Sequence, residues 1–162
     1  MTASTIPRPS ILFDDVRAGD RLPPVVKGPM STMHIMRWSA AIENWHRIHY
    51  DRPFAVEHDG LDDVLVNGSW KQHVLAQVLK DWAGPAGWVS RLAFQHRAMD
   101  VRGALITATG EVLSLERRAE YGLVTCSVRL HGHEETVTTE GTGVVVLPLR
   151  GGPLLPDPLA IH

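Results

Sequence analysis

Residues 43–58, ENWHRIHYDRPFAVEH, gather most of the side chains in this chain whose types suit chemistry. His46, His49 and His58 stand there with Asp51, Asn44, Glu43, Glu57 and two arginines. Imidazole titrates closest to neutral pH, so histidines three residues apart suit a general acid and base. Pro53 breaks any helix through the segment, which is expected to be a loop or irregular turn. Loops carried on a rigid scaffold are where catalytic groups concentrate. The plainer reading is a solvated connector with one or two buried, hydrogen-bonded histidines. His46-x-x-His49 also fits two metal ligands on one side of a helix, with Asp51 or His58 completing a triad. That spacing is common by chance, and no metal is expected.

A second spot is Val64-Leu65-Val66-Asn67-Gly68-Ser69, where an apolar run delivers a glycine to the start of a helix. A helix N-terminus offers free N–H groups and a partial positive charge. Glycine lets a ligand come close, so this spot suits a developing oxyanion. Alternatively, Gly68 only turns the chain into the helix. Other chemistries find less support. Ser69 lacks a G-x-S-x-G elbow. Cys126, the only cysteine, falls on the buried side of an alternating strand. Gly141-x-Gly143 is too short for a dinucleotide fingerprint.

The elements that must position these residues follow from periodicity. Ser31 or Thr32 caps a first helix reaching about Asn44, with Met33, Met36 and Ala40 on one face. Ser69 caps a second, SWKQHVLAQVLKDW, in which Trp70, Val74, Val78 and Trp82 recur every fourth residue. Leu75 and Leu79 widen that stripe, and Gly84-Pro85 stops it. Such an apolar helix needs a large surface to lie on. The second half supplies a sheet. Val124, Cys126, Val128 and Leu130 alternate with Thr125, Ser127, Arg129 and His131, and Gly132 turns the chain afterwards. TVTTEGTGVVVL, ALITATGEVLSLE and WVSRLAFQHRAM read as further strands, with a short one near Val25–Val26. Helices followed by a run of strands imply an α+β domain with an antiparallel sheet. Too few helices remain to cover the sheet's other face, so a dimer is expected.

The chain has 162 residues, 44% apolar and 21% charged, enough for one domain with one core. Its net charge of −2 argues against nucleic acid as a partner. A lone cysteine excludes an internal disulfide. No apolar run approaches the ~18 residues of a membrane helix, and MTASTIPRPS lacks the pattern of a signal peptide. A soluble, cytoplasmic protein is expected. Its folded body should span 11–149, between flexible termini at 1–10 and 150–162.

Several motifs together resemble one family. Phe13-Asp14-Asp15-Val16-Arg17-Ala18-Gly19-Asp20 is similar to the F-x-D-x-x-x-G-D opening of MaoC-like hydratases/dehydratases. AAIENWHRIHYD, residues 40–51, resembles their hydratase motif, A-x-[ST]-G-D-x-N-P-I-H-x-D. Val66-Asn67-Gly68 resembles their V-H-G, and Phe94-x-x-Arg97-Ala98 with Gly103 their F-R-A…G-D. The resemblance covers about residues 13–147. It implies a hot-dog fold, in which an antiparallel sheet wraps a long central helix and two domains pair as a dimer. It also implies an acyl-CoA (or acyl-carrier) thioester as substrate, no separate cofactor, and reversible addition of water to a 2-enoyl group. By position, His49 falls on the motif histidine, Gly68 on the oxyanion glycine and Asp51 on the later acidic position. Asn44 replaces the motif aspartate, His46 the asparagine and Arg47 the proline.

An asparagine takes up no proton at neutral pH, so the usual Asp–His pair is incomplete. N-x-H-R-I-H-Y-D also resembles a branch that includes mesaconyl-CoA-type hydratases, in which the histidine pair would move the proton. Asn44 would then orient water. Asn67 joins the substrate-binding candidates by position. Lys71, Arg91 and Arg97 are candidates for coenzyme A phosphates, with surface solvation as the plainer account. The hydratase reading requires His46, His49 and Gly68 to converge on one cleft. Two alternatives remain: a non-catalytic or half-catalytic subunit that pairs with another hot-dog chain, and an acyl-CoA thioesterase. The last is disfavoured because the central helix has no carboxylate before Asp81, although Glu57 and Asp59 lie in the adjacent loop.

Overall fold

A computed structural model describes residues 10–153 and 155. The termini expected to be flexible fall largely at 1–9, 154 and 156–162, outside the described residues. The elements run in the order β1 (Arg21–Lys27), α1 (Thr32–Ala41), α2 (Gly68–Ala83), β2 (Trp88–His96), β3 (Ile106–Arg117), β4 (Tyr121–His131) and β5 (Val137–Pro148). The strands form one antiparallel sheet ordered β1-β3-β4-β5-β2, so β1 and β2 are its edges. Pro23 and Pro24 fall where the register of β1 slips, a placement that only an edge strand tolerates.

The helix α2 lies across the concave side of the sheet and touches all five strands. Val74, Leu75, Val78, Leu79 and Ala83 are buried against Ala108, Val112, Val124, Cys126, Val128, Val145 and Leu147. Alternation on β4 is as expected: Val124, Cys126, Val128 and Leu130 are buried in the core. Each such aliphatic side chain stabilises the fold by roughly 1.5–3 kcal/mol on burial. The helix ends at Gly84, whose φ of 70° suits a residue without Cβ, and Pro85 follows.

Three local expectations are corrected. The first helix ends at Ala41, and its buried residues are Ile35 and Ser39; Met33 is 77% exposed. Ser39 turns inward because Asn67 offers its hydroxyl a buried partner. Asn67, not Ser69, is the N-cap of α2, and it makes no side-chain cap bond there. Residues 43–58 are not plain loop: Arg47–His49 form a 3-10 turn and Phe54–His58 a π-helical turn, with Pro53 just ahead of the latter.

The sheet's outer face carries Gln95, Ser127, Arg129, Glu140 and Thr142 around a shallow groove. Such residues meet water without cover, so this part of the outer face does not demand a second subunit. The edge strand β2 is paired on one side only, by β5. Among the described residues no helix is long and apolar enough to cross a membrane.

Candidate active site

The segment from Asn44 to Tyr50 is shaped by its own side chains. The Asn44 carboxamide oxygen accepts the His46 backbone N–H at 3.2 Å. The His46 ring nitrogen Nδ1 accepts the Ile48 N–H at 3.4 Å, starting the turn that carries His49 inward. Leu65 N–H donates to the Ile48 carbonyl at 2.8 Å, stitching this turn to the strand-like run that leads into α2. His49 is 6% exposed. Its Nδ1 lies 2.9 Å from the Leu65 carbonyl, which can only accept. The proton therefore sits on Nδ1, and Nε2 is left bare as a base. Burial pushes the His49 pKa below its ordinary value, and neighbouring His46 adds to this; the bond to Leu65 opposes it. A neutral imidazole at physiological pH results.

The same run ends at Gly68. Val66 N–H donates to Asp100 O and Arg102 N–H to Val64 O, and Leu65 bridges Val101, so the run is held from both sides. Asn67 is 1% exposed; its Nδ2 donates to Ser39 Oγ at 3.1 Å. No side chain caps α2, so its first N–H groups are not taken by a cap. The His46 and His49 rings lie 6.3 Å apart, edge to face, and the Leu65 bond ties the second of them to the run that ends at Gly68.

His96, at the end of β2, is a candidate that the sequence reading did not name, and the structure sets it beside Gly68. A Cβ on Gly68 would sit 2.9 Å from His96 Nε2, so glycine at 68 leaves this ring its place beside the helix start, and a larger residue would push the ring aside. The other nitrogen is 3.1 Å from Thr139 Oγ1. Burial and the Lys71 charge push the His96 pKa down, against a smaller upward pull from Asp100. A single histidine on an edge strand gives no sequence signal, because its partner Gly68 is 28 positions away.

The remaining candidates lie elsewhere. Asp51 accepts from Arg47 Nε and Nη2 at 2.9 and 2.7 Å and from Phe54 N–H, so it braces the turn. The Arg47 guanidinium holds its carboxyl below the usual range. Lys71 is corrected from a surface cation to a buried one. It is 3% exposed, with Nζ 2.7 Å from the Asp100 carboxylate, 2.9 Å from Ala98 O and 3.3 Å from Thr138 O. With its donors spent inside, it does not reach a coenzyme phosphate. Arg97 donates to Glu140 at 2.9 Å and lines the outer groove with Ser127 and Arg129, on the far side of the sheet from α2. Arg91 is exposed on β2. Among the described residues no three His, Cys, Asp or Glu side chains gather as a metal-binding group. The Cys126 thiol, wholly buried, is pushed up to about 12 and is no nucleophile.

An antiparallel sheet wrapped on one central helix, with the histidine turn at the helix start, defines a MaoC-like hot-dog domain. The family model for hydroxyacyl-thioester dehydratase type 2 matches residues 22–102, and the chain belongs to that family. Solved structures share the fold at low identity. The ChsH1-ChsH2 complex from Mycobacterium tuberculosis superposes with a TM-score of 0.70 at 23% identity, over 83% of this chain and 98% of that one. The (R)-hydratase from A. caviae involved in PHA biosynthesis gives 0.74 at 19%, over 83% and 98%. The MaoC-like dehydratase from Rhodospirillum rubrum gives 0.75 at 16%, over 87% and 99%. No curated protein matches the sequence.

Proposed function

We propose that the chain interconverts a 2-enoyl and a 3-hydroxyacyl thioester of coenzyme A by adding or removing water. The observation that carries this reading is the buried, neutral His49 with its bare Nε2, bonded to the run that ends at Gly68. In hydration, Nε2 takes a proton from water as the oxygen bonds to the β-carbon. The enoyl π electrons move toward the thioester oxygen, where the Gly68 N–H and the α2 dipole stabilise the charge. The α-carbon then takes a proton and the enolate collapses to the 3-hydroxyacyl thioester. The proton that His49 Nε2 has taken up, or one carried by His46, whose ring lies 6.3 Å from that of His49, is what the α-carbon receives, a role Asn44 cannot fill. Asn44 and Asn67 hold the turn and the helix start in place.

The test follows the conjugated-enoyl absorbance of crotonyl-CoA and of longer or branched enoyl-CoAs with purified protein. Loss of absorbance without thiol release supports hydration. Thiol release would favour hydrolysis, and activity unchanged in His49→Ala would remove this mechanism.

A second reading has its own support. The Asn44 side chain already serves the His46 N–H, and one structural relative is a two-protein complex. The chain would then act as one half of a heteromer with a second hot-dog subunit. Inactivity alone and activity after mixing with the product of an adjacent hot-dog gene would select it. Under either reading the expected assembly is a dimer, of two copies or of two related chains.

A further inference from the structure

We propose that the cleft between α1, α2 and the end of β1 binds a nucleotide-like anion, a flat ring carrying phosphate. The cleft encloses about 490 Å³, within the range of roughly 300–1,000 Å³ typical of small-molecule sites. None of His46, His49 and His96 lines it, so it is separate from the histidine centre. Its walls carry Lys27, His34, Arg37 and His73 with the indoles of Trp38 and Trp70, and no carboxylate.

That imbalance stands out in a chain with 16 Lys and Arg against 18 Asp and Glu. Most other cationic side chains around the molecule have found an acid: Arg47 with Asp51, Arg52 and Arg102 with Asp63, Arg117 with Asp14. Among the described residues neither Lys27 nor Arg37 forms an ion pair; Arg17, Arg21, Lys80, Arg91 and Arg129 form none either, but only Lys27 and Arg37 share this cleft. Lys27 is half-buried and Arg37 exposed at the mouth of the cleft, so an anion seated there would meet both charges with no acid competing for them. Guanidinium and ammonium groups suit phosphate oxygens, and indole faces suit a flat heterocycle. Trp38 is held in place, since its Nε1–H donates to Ser69 Oγ at 2.9 Å and its ring lies 5.2 Å from that of His73. Gln77, further along α2, offers its amide oxygen, its Nε2 donating to Asp81 at 3.2 Å. An acyl tail does not suit such a lining, because the cations would lose water for nothing.

The proposal stands on this cleft alone and does not depend on the hydratase reading. Isothermal titration of the full chain with ADP, adenosine and inorganic phosphate tests it. Saturable binding of ADP is expected, at least about tenfold tighter than either fragment. Lys27→Ala with Arg37→Ala should weaken ADP by about tenfold or more with the far-UV circular dichroism unchanged, whereas His49→Ala should bind ADP as the parent does. Coenzyme A distinguishes the two sources of such a nucleotide. Displacement of ADP by coenzyme A would mean the nucleotide arrives as part of the thioester, and ADP binding undisturbed by coenzyme A would mean a free nucleotide; both support the site. No saturable ADP binding, or binding unaffected by the double substitution, would overturn it.

Discussion

His49 shows how much one hydrogen bond decides. Because the Leu65 carbonyl can only accept, the imidazole is committed to one tautomer, and burial keeps it neutral. His49→Gln is expected to lower kcat with crotonyl-CoA by about 10²–10⁴-fold, the usual range for loss of a general base. The acid limb of kcat/KM should fall below pH 6.5, the ordinary histidine value, because the His49 pKa is depressed. Stability follows with the same sign. Below pH 6.5 the unfolded chain protonates His49 and His96 while the folded chain resists, so unfolding takes up protons. The contribution is complete above pH 6.5 and is lost as pH falls through the folded pKa values. A urea midpoint independent of pH between 7 and 5, in a variant lacking other titrating histidines, would contradict this. Gly68→Ala should cost activity through His96, since the new methyl displaces the ring, and His96→Gln should relieve that clash without restoring rate. Steady-state kinetics of the two single variants and the double variant read this coupling.

At the scale of elements, the pattern that makes α2 is written locally, and so it was legible. An apolar stripe every three or four residues, ended by Gly84-Pro85, needs no distant partner to be read. The same holds for β4, whose alternation matched residue for residue. What escaped depends on pairs far apart in the chain. Lys71 looks like any helix-surface cation until Asp100 arrives 29 positions later. The inward face of α1 was misassigned to Met33, Met36 and Ala40 because Ser39 is polar, and only Asn67 makes its burial tolerable. The Lys71–Asp100 pair carries its own prediction. Lys71→Ala leaves a buried carboxylate without its partner and should destabilise by about 3–5 kcal/mol in urea unfolding. Lys71→Met with Asp100→Leu should recover most of that, since apolar replacements remove both desolvation costs together.

For the whole molecule, the fold class and the location of the histidine turn could be read in advance because several motifs fell in order over most of the chain. The argument for a dimer from an uncovered sheet could not, because the outer face around Ser127, Arg129 and Glu140 proves polar. The open edge of β2 and the exposed Trp45, Met99 and Leu105 now carry that expectation instead. Sedimentation equilibrium should give about twice the 17.9 kDa of one chain if the protein pairs with itself. A monomer that becomes a dimer only with a related subunit would point to the heteromer.

Lys71 also constrains how such a protein can diverge. One ammonium grips α2, the segment after β2 and the start of β5 at once, so the helix cannot rotate about its axis without breaking all three holds. New specificities in related lineages would then have to arise by rewriting residues 43–63, which are tied to this frame mainly at Leu65 and Asp63. Across homologues, positions 71 and 100 should change together or stay fixed, and His49 should stay, while the other residues of the turn drift around them.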